Sequence, residues 1–171
     1  FELGAVASML EPIWQVMPST KADGVWTTHG DLALPLLSTE RELRTGDVLW
    51  TDVSITYGGY CSDFGRTWVV GQDPSPRQQA QFQRWNDIMT AVLDVTKAGA
   101  SAADLGRAAI AANEGSKPWL PHFYLGHGIG VNAAEMPMIG TDLGAEFDEN
   151  YMLQAGMVLV LEPVVWEDGT G

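Results

Sequence analysis

WTDVSITYGGYCSDFGRTW, residues Trp50 to Trp68, is the stretch on which the rest of the chain depends. It reads as two β-strands joined by a two-residue turn at Gly58-Gly59. Glycine tolerates the positive φ angles that a tight hairpin turn requires. Val53, Ile55, Tyr57 and Tyr60 supply strand-forming side chains. A two-residue turn sets Tyr57 opposite Tyr60, Ser54 opposite Asp63 and Asp52 opposite Gly65. Facing residues share a sheet face, as do residues two apart on one strand. Asp52 and Asp63 are therefore diagonal neighbours on one face, about 7–8 Å apart at the backbone. Two carboxylates aimed at one spot repel unless positive charge lies between them, and divalent cations are a natural filling. The competing reading is two solvated carboxylates on an open sheet face.

Two later segments bear on that choice. Leu125-Gly126-His127-Gly128-Ile129-Gly130 sets one histidine among glycines, which allow a close backbone approach and leave the imidazole uncovered. His127 is a ligand or a structural histidine. Val158-Leu159-Val160-Leu161-Glu162-Pro163-Val164-Val165 is an apolar strand holding one carboxylate. A buried carboxylate is costly unless paired or metal-bound. Glu162 is a ligand, or it pairs with Arg66 or another base. Pro163 removes a ladder donor, so a strand end or bulge is expected there. His29, ending a short strand, is a fourth candidate, with solvent exposure as its alternative.

The remaining pattern predicts an amphipathic helix over residues 1–10, stopped near Pro12, and a strand over 24–29. A loop then runs to Thr45. Ser75 as N-cap and Pro76 at the first helical position open a helix to about Ala98, with an apolar stripe through Phe82, Trp85, Ile88, Met89, Val92, Leu93 and Val95. Ser101 and Asp104 match a capping box for a second helix ending at Gly115. Strands are expected over 123–125, 130–135 and 157–166, with an acidic loop over 140–150. Strands, two helices, then strands predict an α+β domain: a curved, largely antiparallel sheet with helices on one side.

The chain has 171 residues, 46% apolar and 18% charged, enough for one domain with a core. A net charge of −13 makes nucleic acid and anionic membrane poor partners. The single Cys61 rules out an internal disulfide and suits a reducing, cytoplasmic compartment. No apolar run is long enough to cross a bilayer and no signal peptide is visible at Phe1. Both ends read as cut, with a helix under way at the first residue and a turn at the last.

Asp-x10-Asp on a hairpin, then Gly-His-Gly-Ile-Gly, then Leu-Glu-Pro resembles the pita-bread metallopeptidases, from about Trp26 to Trp166. That superfamily includes methionine aminopeptidases, Xaa-Pro dipeptidases, aminopeptidase P and the metal-free creatinases. The wording YGGYCSDFGRT is closest to the Xaa-Pro branch. The resemblance implies the pita-bread fold and two divalent metal ions, Mn²⁺ or Co²⁺ first, with Zn²⁺ or Fe²⁺ as alternatives. Asp52 and Asp63 match the first two ligands, His127 the ligand histidine, and Glu162 the glutamate that binds metal and helps activate water. His29 matches a substrate-facing histidine that is not a ligand. A peptide substrate and a homodimer are implied as well.

This sequence departs from the pattern twice. A second active-site histidine usually stands seven residues after the first, in His-Glu-x-Pro; here the place is Ala134, before Glu135-Met136-Pro137. A final bridging glutamate is expected beyond Gly171, so residues 1–171 read as a fragment of the catalytic domain, without the N-terminal domain and last strand. The implied activity is hydrolysis of the N-terminal bond of Xaa-Pro peptides by a metal-activated hydroxide. The alternatives are another C–N hydrolase or a lyase on the same scaffold, or an inactive binding module. The fragment alone is expected to be inactive and to bind metal weakly.

Overall fold

The computed structural model describes residues 6–7, 13–17, 42–120 and 122–167. The expected strand over 24–29, with His29, lies outside the described residues, as does most of the loop expected before Thr45. The chain divides into two compact units. One is Phe1–Gln79 with Val131–Ala133 and Trp166–Gly171; the other is Ala80–Gly130 with Ala134–Val165.

The first unit is built on the hairpin. Its strands are β1 (Val6–Ala7), β2 (Ile13–Met17), β3 (Val48–Val53), β4 (Ile55–Tyr57), β5 (Tyr60–Cys61) and β6 (Phe64–Val69). Gly58 and Gly59 have φ of 58° and 88°, the paired positive angles of a type I′ turn. Tyr57 pairs with Tyr60 and Asp52 with Gly65, so the register is the one a two-residue turn dictates. The ladder is interrupted at Ser54, whose hydroxyl donates to the Ser62 carbonyl, while the Ser62 hydroxyl accepts from the Ile55 amide at 3.2 Å. That interruption splits the hairpin between two three-stranded sheets, β1-β4-β5 and β2-β3-β6. The helix expected over 1–10 is corrected at Val6–Ala7, which pairs with Thr56 and Ile55; the rest of that range lies outside the described residues. The pattern gave no signal for β2, which pairs along all of β3 but its last residue.

Helix α1 (Pro76–Val95) starts as its cap dictates: the Ser75 hydroxyl accepts from the Gln78 amide and Gln78 Oε1 from the Ser75 amide. It stops at Val95, a little short of Ala98. Ile88 and Val92 are fully buried, whereas Phe82 and Leu93 are exposed, so the apolar stripe is wider than the buried face. Helix α2 (Ala102–Ala112) carries the complete Ser101–Asp104 capping box. The Gly115 amide, at φ 86°, closes it by donating to the Ile110 carbonyl at 2.8 Å.

The second unit's sheet has the order β8-β7-β9, from β7 (Gly126–Gly128), β8 (Glu135–Ile139) and β9 (Leu159–Leu161), all antiparallel. The core joins Ile88 and Val92 of α1, Leu105 and Ala109 of α2, and Trp119, Leu125, Ile139, Leu153 and Val165. Leu159 and Leu161 pack against it.

Expected strand bounds shift for identifiable reasons. Residues 123–125 are not strand, because His122 at φ 59° turns the chain just before them. Residues 130–134 are bends, and the strand begins at Glu135. The last strand spans only Leu159–Leu161: the Glu162 amide donates to the Leu125 carbonyl, Pro163 cannot donate, and Val164 turns its amide to the Pro118 carbonyl. The expected acidic loop contains a short helix, α3 (Ala145–Asn150), whose Glu146 and Asp148 suit a helix N-terminus. Among the described residues no helix is long and apolar enough to cross a membrane.

Candidate metal centre

In the second unit, β7 is the central strand and is flanked closely on both sides. A Cβ on Gly126 would lie 2.5 Å from the Val160 carbonyl oxygen, and one on Gly128 would collide with the Met136 carbonyl. No side chain fits at either glycine without moving backbone, so the glycines around His127 are steric requirements. The strand end or bulge expected beside Pro163 is a strand end, since β9 closes at Leu161, and the sheet has its bulge between His127 and Gly128, where His127 pairs with Met138 but Gly128 with Glu135.

His127 lies opposite Val160, and Glu162 is two residues further along. Strand alternation puts all three on one face of the sheet, away from Leu159 and Leu161. The side chains meet: Nε2 of His127 is 3.0 Å from Oε1 of Glu162. His127 is 1% exposed. Its Nδ1 lies 2.8 Å from the Gly128 carbonyl oxygen. That oxygen only accepts, so Nδ1 carries a proton, and Nε2 is the ring atom that faces the carboxylate. Oε1 of Glu162 is buried and has no hydrogen bond of good geometry, although it lies so near Nε2. A carboxylate oxygen this close to Nε2 calls for a proton or a metal cation between the two atoms.

A divalent ion fits this arrangement. Imidazole nitrogen and carboxylate oxygen each bind such ions at about 2.0–2.2 Å, and two ligands at a right angle then stand about 3 Å apart. An imidazole with carboxylates suits Mn²⁺, Co²⁺, Fe²⁺ or Zn²⁺. In the first unit the Arg66 guanidinium lies 4.0 Å from the Phe64 ring centroid and donates to the Gly65 carbonyl.

In the first unit Asp52 and Asp63 are half-buried, on the diagonal that the register requires. Among the described residues no three His, Cys, Asp or Glu side chains gather as a metal site. Of the four expected ligands, Asp52 and Asp63 belong to the first unit and His127 and Glu162 to the second, where the latter two meet. His29 lies outside the described residues. Ala134 is exposed, just before the start of β8.

One neighbour of the site carried no signal in the sequence. The Tyr124 ring meets the His127 ring at 5.2 Å between centroids and 78° between planes. Tyr124 in turn stacks on Phe123 at 4.2 Å. Tyr124 and His127 come together because His122 turns the chain ahead of β7, which periodicity does not reveal.

The model of metallopeptidase family M24 matches residues 11–171. A Xaa-Pro dipeptidase of Pyrococcus horikoshii is 29% identical over 132 residues, 76% of this chain and 35% of that protein. The crystal structure of dipeptidase PepE from Mycobacterium ulcerans superposes with a TM-score of 0.65 at 32% identity, over 77% of this chain and 34% of that one. Prolidase from Pyrococcus furiosus gives 0.64 at 26% identity, over 81% and 39%. The chain thus spans between 34% and 39% of the length of these three proteins. Divalent metal ions are implied at the level of the family. By the match over nearly all its length and its likeness to solved structures of prolidases and dipeptidases, the chain belongs to metallopeptidase family M24, with the α+β pita-bread fold.

Proposed function

We propose that the intact protein is a metal-dependent peptidase that cleaves the bond preceding a proline in the second position of a peptide. The observation that carries this reading is the 3.0 Å approach of His127 Nε2 to Glu162 Oε1, with Nδ1 held by the Gly128 carbonyl. Asp52, Asp63, His127 and Glu162 would hold two divalent ions, with Mn²⁺ or Co²⁺ expected first. When bound, the ions supply Lewis-acid polarisation and a water that ionises near neutral pH. The chain's own groups do the rest. The Glu162 carboxylate takes up a proton and delivers it to the leaving amine. His29 donates to the developing oxyanion. The carboxylates attract the free α-amino group of the substrate.

A second reading, C–N hydrolysis or a lyase step on a different substrate, rests on Ala134. It stands exposed where the resemblance leads one to expect an imidazole. The test is to assay the metal-loaded intact protein on Xaa-Pro dipeptides, longer Xaa-Pro peptides and creatine-like amidines. Hydrolysis of either Xaa-Pro class is the expected result. Turnover of amidines alone would replace the peptidase reading with the second, and metal binding without turnover of any would favour a binding module.

A further inference from the structure

We propose that Tyr124 is a positioning residue for His127: its ring sets the orientation in which the imidazole presents Nε2. This rests on the reading of His127 as a metal ligand. The Nδ1 atom is tied to the carbonyl of the very next residue, Gly128, at 2.8 Å. A bond between adjacent residues closes a small loop and by itself leaves the ring able to tilt about its Cβ–Cγ axis. The neighbours of His127 along the strand are glycines, which supply no side chain to stop that tilt. Tyr124 supplies a wall. Its ring meets the imidazole at 5.2 Å and 78°, the edge-to-face arrangement that aromatic pairs favour. Tyr124 is itself fixed, stacked on Phe123 at 4.2 Å and 18° and followed by the fully buried Leu125. The chain thus runs from a packed aromatic pair, through a buried leucine, to a ligand held on one side by a carbonyl and on the other by a ring. Groups that orient a ligating imidazole commonly change metal affinity about 10–100-fold when removed.

The experiment uses the intact protein labelled with ¹⁵N in its histidine rings, with the His127 signal assigned by its loss in His127→Gln. Without metal, the wild type should show a single neutral tautomer protonated at Nδ1, and Tyr124→Phe should keep it. Tyr124→Ala and Tyr124→Leu should show averaged Nδ1 and Nε2 shifts and bind Mn²⁺ about 10-fold more weakly by calorimetry. Far-UV circular dichroism checks folding; if the alanine variant is unfolded, the leucine variant decides, since it retains bulk without a ring. A wild-type tautomer and affinity in Tyr124→Leu would overturn the proposal, and so would failure of Tyr124→Phe to behave as wild type. The tautomer is read in metal-free protein, so a wild type that binds no Mn²⁺ sinks the peptidase reading while the ring readout still tests Tyr124.

Discussion

His127 Nε2 and Glu162 Oε1 lie 3.0 Å apart, although the register sets His127 opposite Val160. The glutamate reaches it from two residues further along the strand. The hairpin repeats this relationship: Asp52 pairs with Gly65, and Asp63 stands two residues from that glycine. Each pair uses the diagonal of an antiparallel ladder, so both carboxylate-bearing pairs follow from pairing register before any side-chain detail is considered.

The first prediction concerns Glu162→Gln. In metal-free protein the change replaces a carboxylate whose buried Oε1 lacks a good hydrogen bond and lets an amide donate to Nε2. The melting temperature without metal should therefore hold or rise. Stabilisation by added Mn²⁺ or Co²⁺ comes only from binding to the folded state, so it should fall sharply. Thermal melts of the intact protein with and without each ion measure both. An undiminished metal-induced shift in the variant would exclude Glu162 as a ligand.

The second prediction separates glycines by what surrounds them. Gly126→Ala and Gly128→Ala each drive a methyl group into a neighbouring strand's carbonyl and should lose about 1–3 kcal/mol in urea unfolding, as overpacking does. Gly106 sits inside α2, and a Cβ added there would meet nothing within 4 Å. Gly106→Ala should instead stabilise by about 0.5–1 kcal/mol, the usual helical preference for alanine. Equal effects at all three positions would show that strand crowding around His127 is not what fixes the glycines.

Local chemistry explains what was legible in the sequence. Gly58-Gly59 permits a two-residue type I′ turn, and that turn sets every pair down to Asp52–Gly65. Ser75 and Ser101 announce helix starts through hydrogen bonds made within three residues. The glycines around His127 and the Leu-Glu-Pro step marked two candidate residues because each is odd for its surroundings, and the structure brings them within 3.0 Å. Long-range choices were not readable. Residues 13–17 show no alternation strong enough to mark β2, which exists because β3 offers it a ladder. The strand expected over 130–135 runs instead to Ile139, through Pro137, which falls in the bulge opposite His127/Gly128. Tyr124 reaches His127 through a left-handed turn at His122 that the residue type does not announce.

The third prediction tests the start of α2. The Ser101 hydroxyl accepts from the Asp104 amide, and the Asp104 carboxylate accepts from the Ser101 amide at 2.8 Å. Ser101→Ala should cost about 1 kcal/mol in chemical unfolding, the usual loss for an N-cap. The Arg107 guanidinium, then the Ser101 amide and hydroxyl, hold the Asp104 carboxyl below its ordinary range. A carboxylate with a lowered folded value adds stability above the unfolded value and loses it as pH falls through the folded one. Asp104→Asn should therefore narrow its deficit against wild type as the buffer is taken below the usual carboxylate range. A deficit that is constant with pH would rule out an ionic contribution.

Asp148 should behave with the opposite sign. It is 5% exposed in α3, with Oδ2 accepting from the Gly140 amide at 2.9 Å and Oδ1 buried without a hydrogen bond. Burial raises its carboxyl above the ordinary 3.8, against the smaller lowering by the Gly140 amide and by Lys117. A group whose folded value is raised binds its proton more tightly in the folded state. It therefore favours folding below the unfolded value and loses that advantage as pH rises through the folded one. Wild-type stability should carry a downward contribution across the interval from 3.8 to the raised value. Asp148→Asn can keep the acceptor for Gly140 while removing the charge, so it should flatten that part of the profile and match or exceed wild type above it. Urea unfolding at a series of pH values makes the comparison. An asparagine variant that loses ground steadily as pH rises would mean that the ionised carboxylate is favoured by its surroundings, contrary to the burial that raises it.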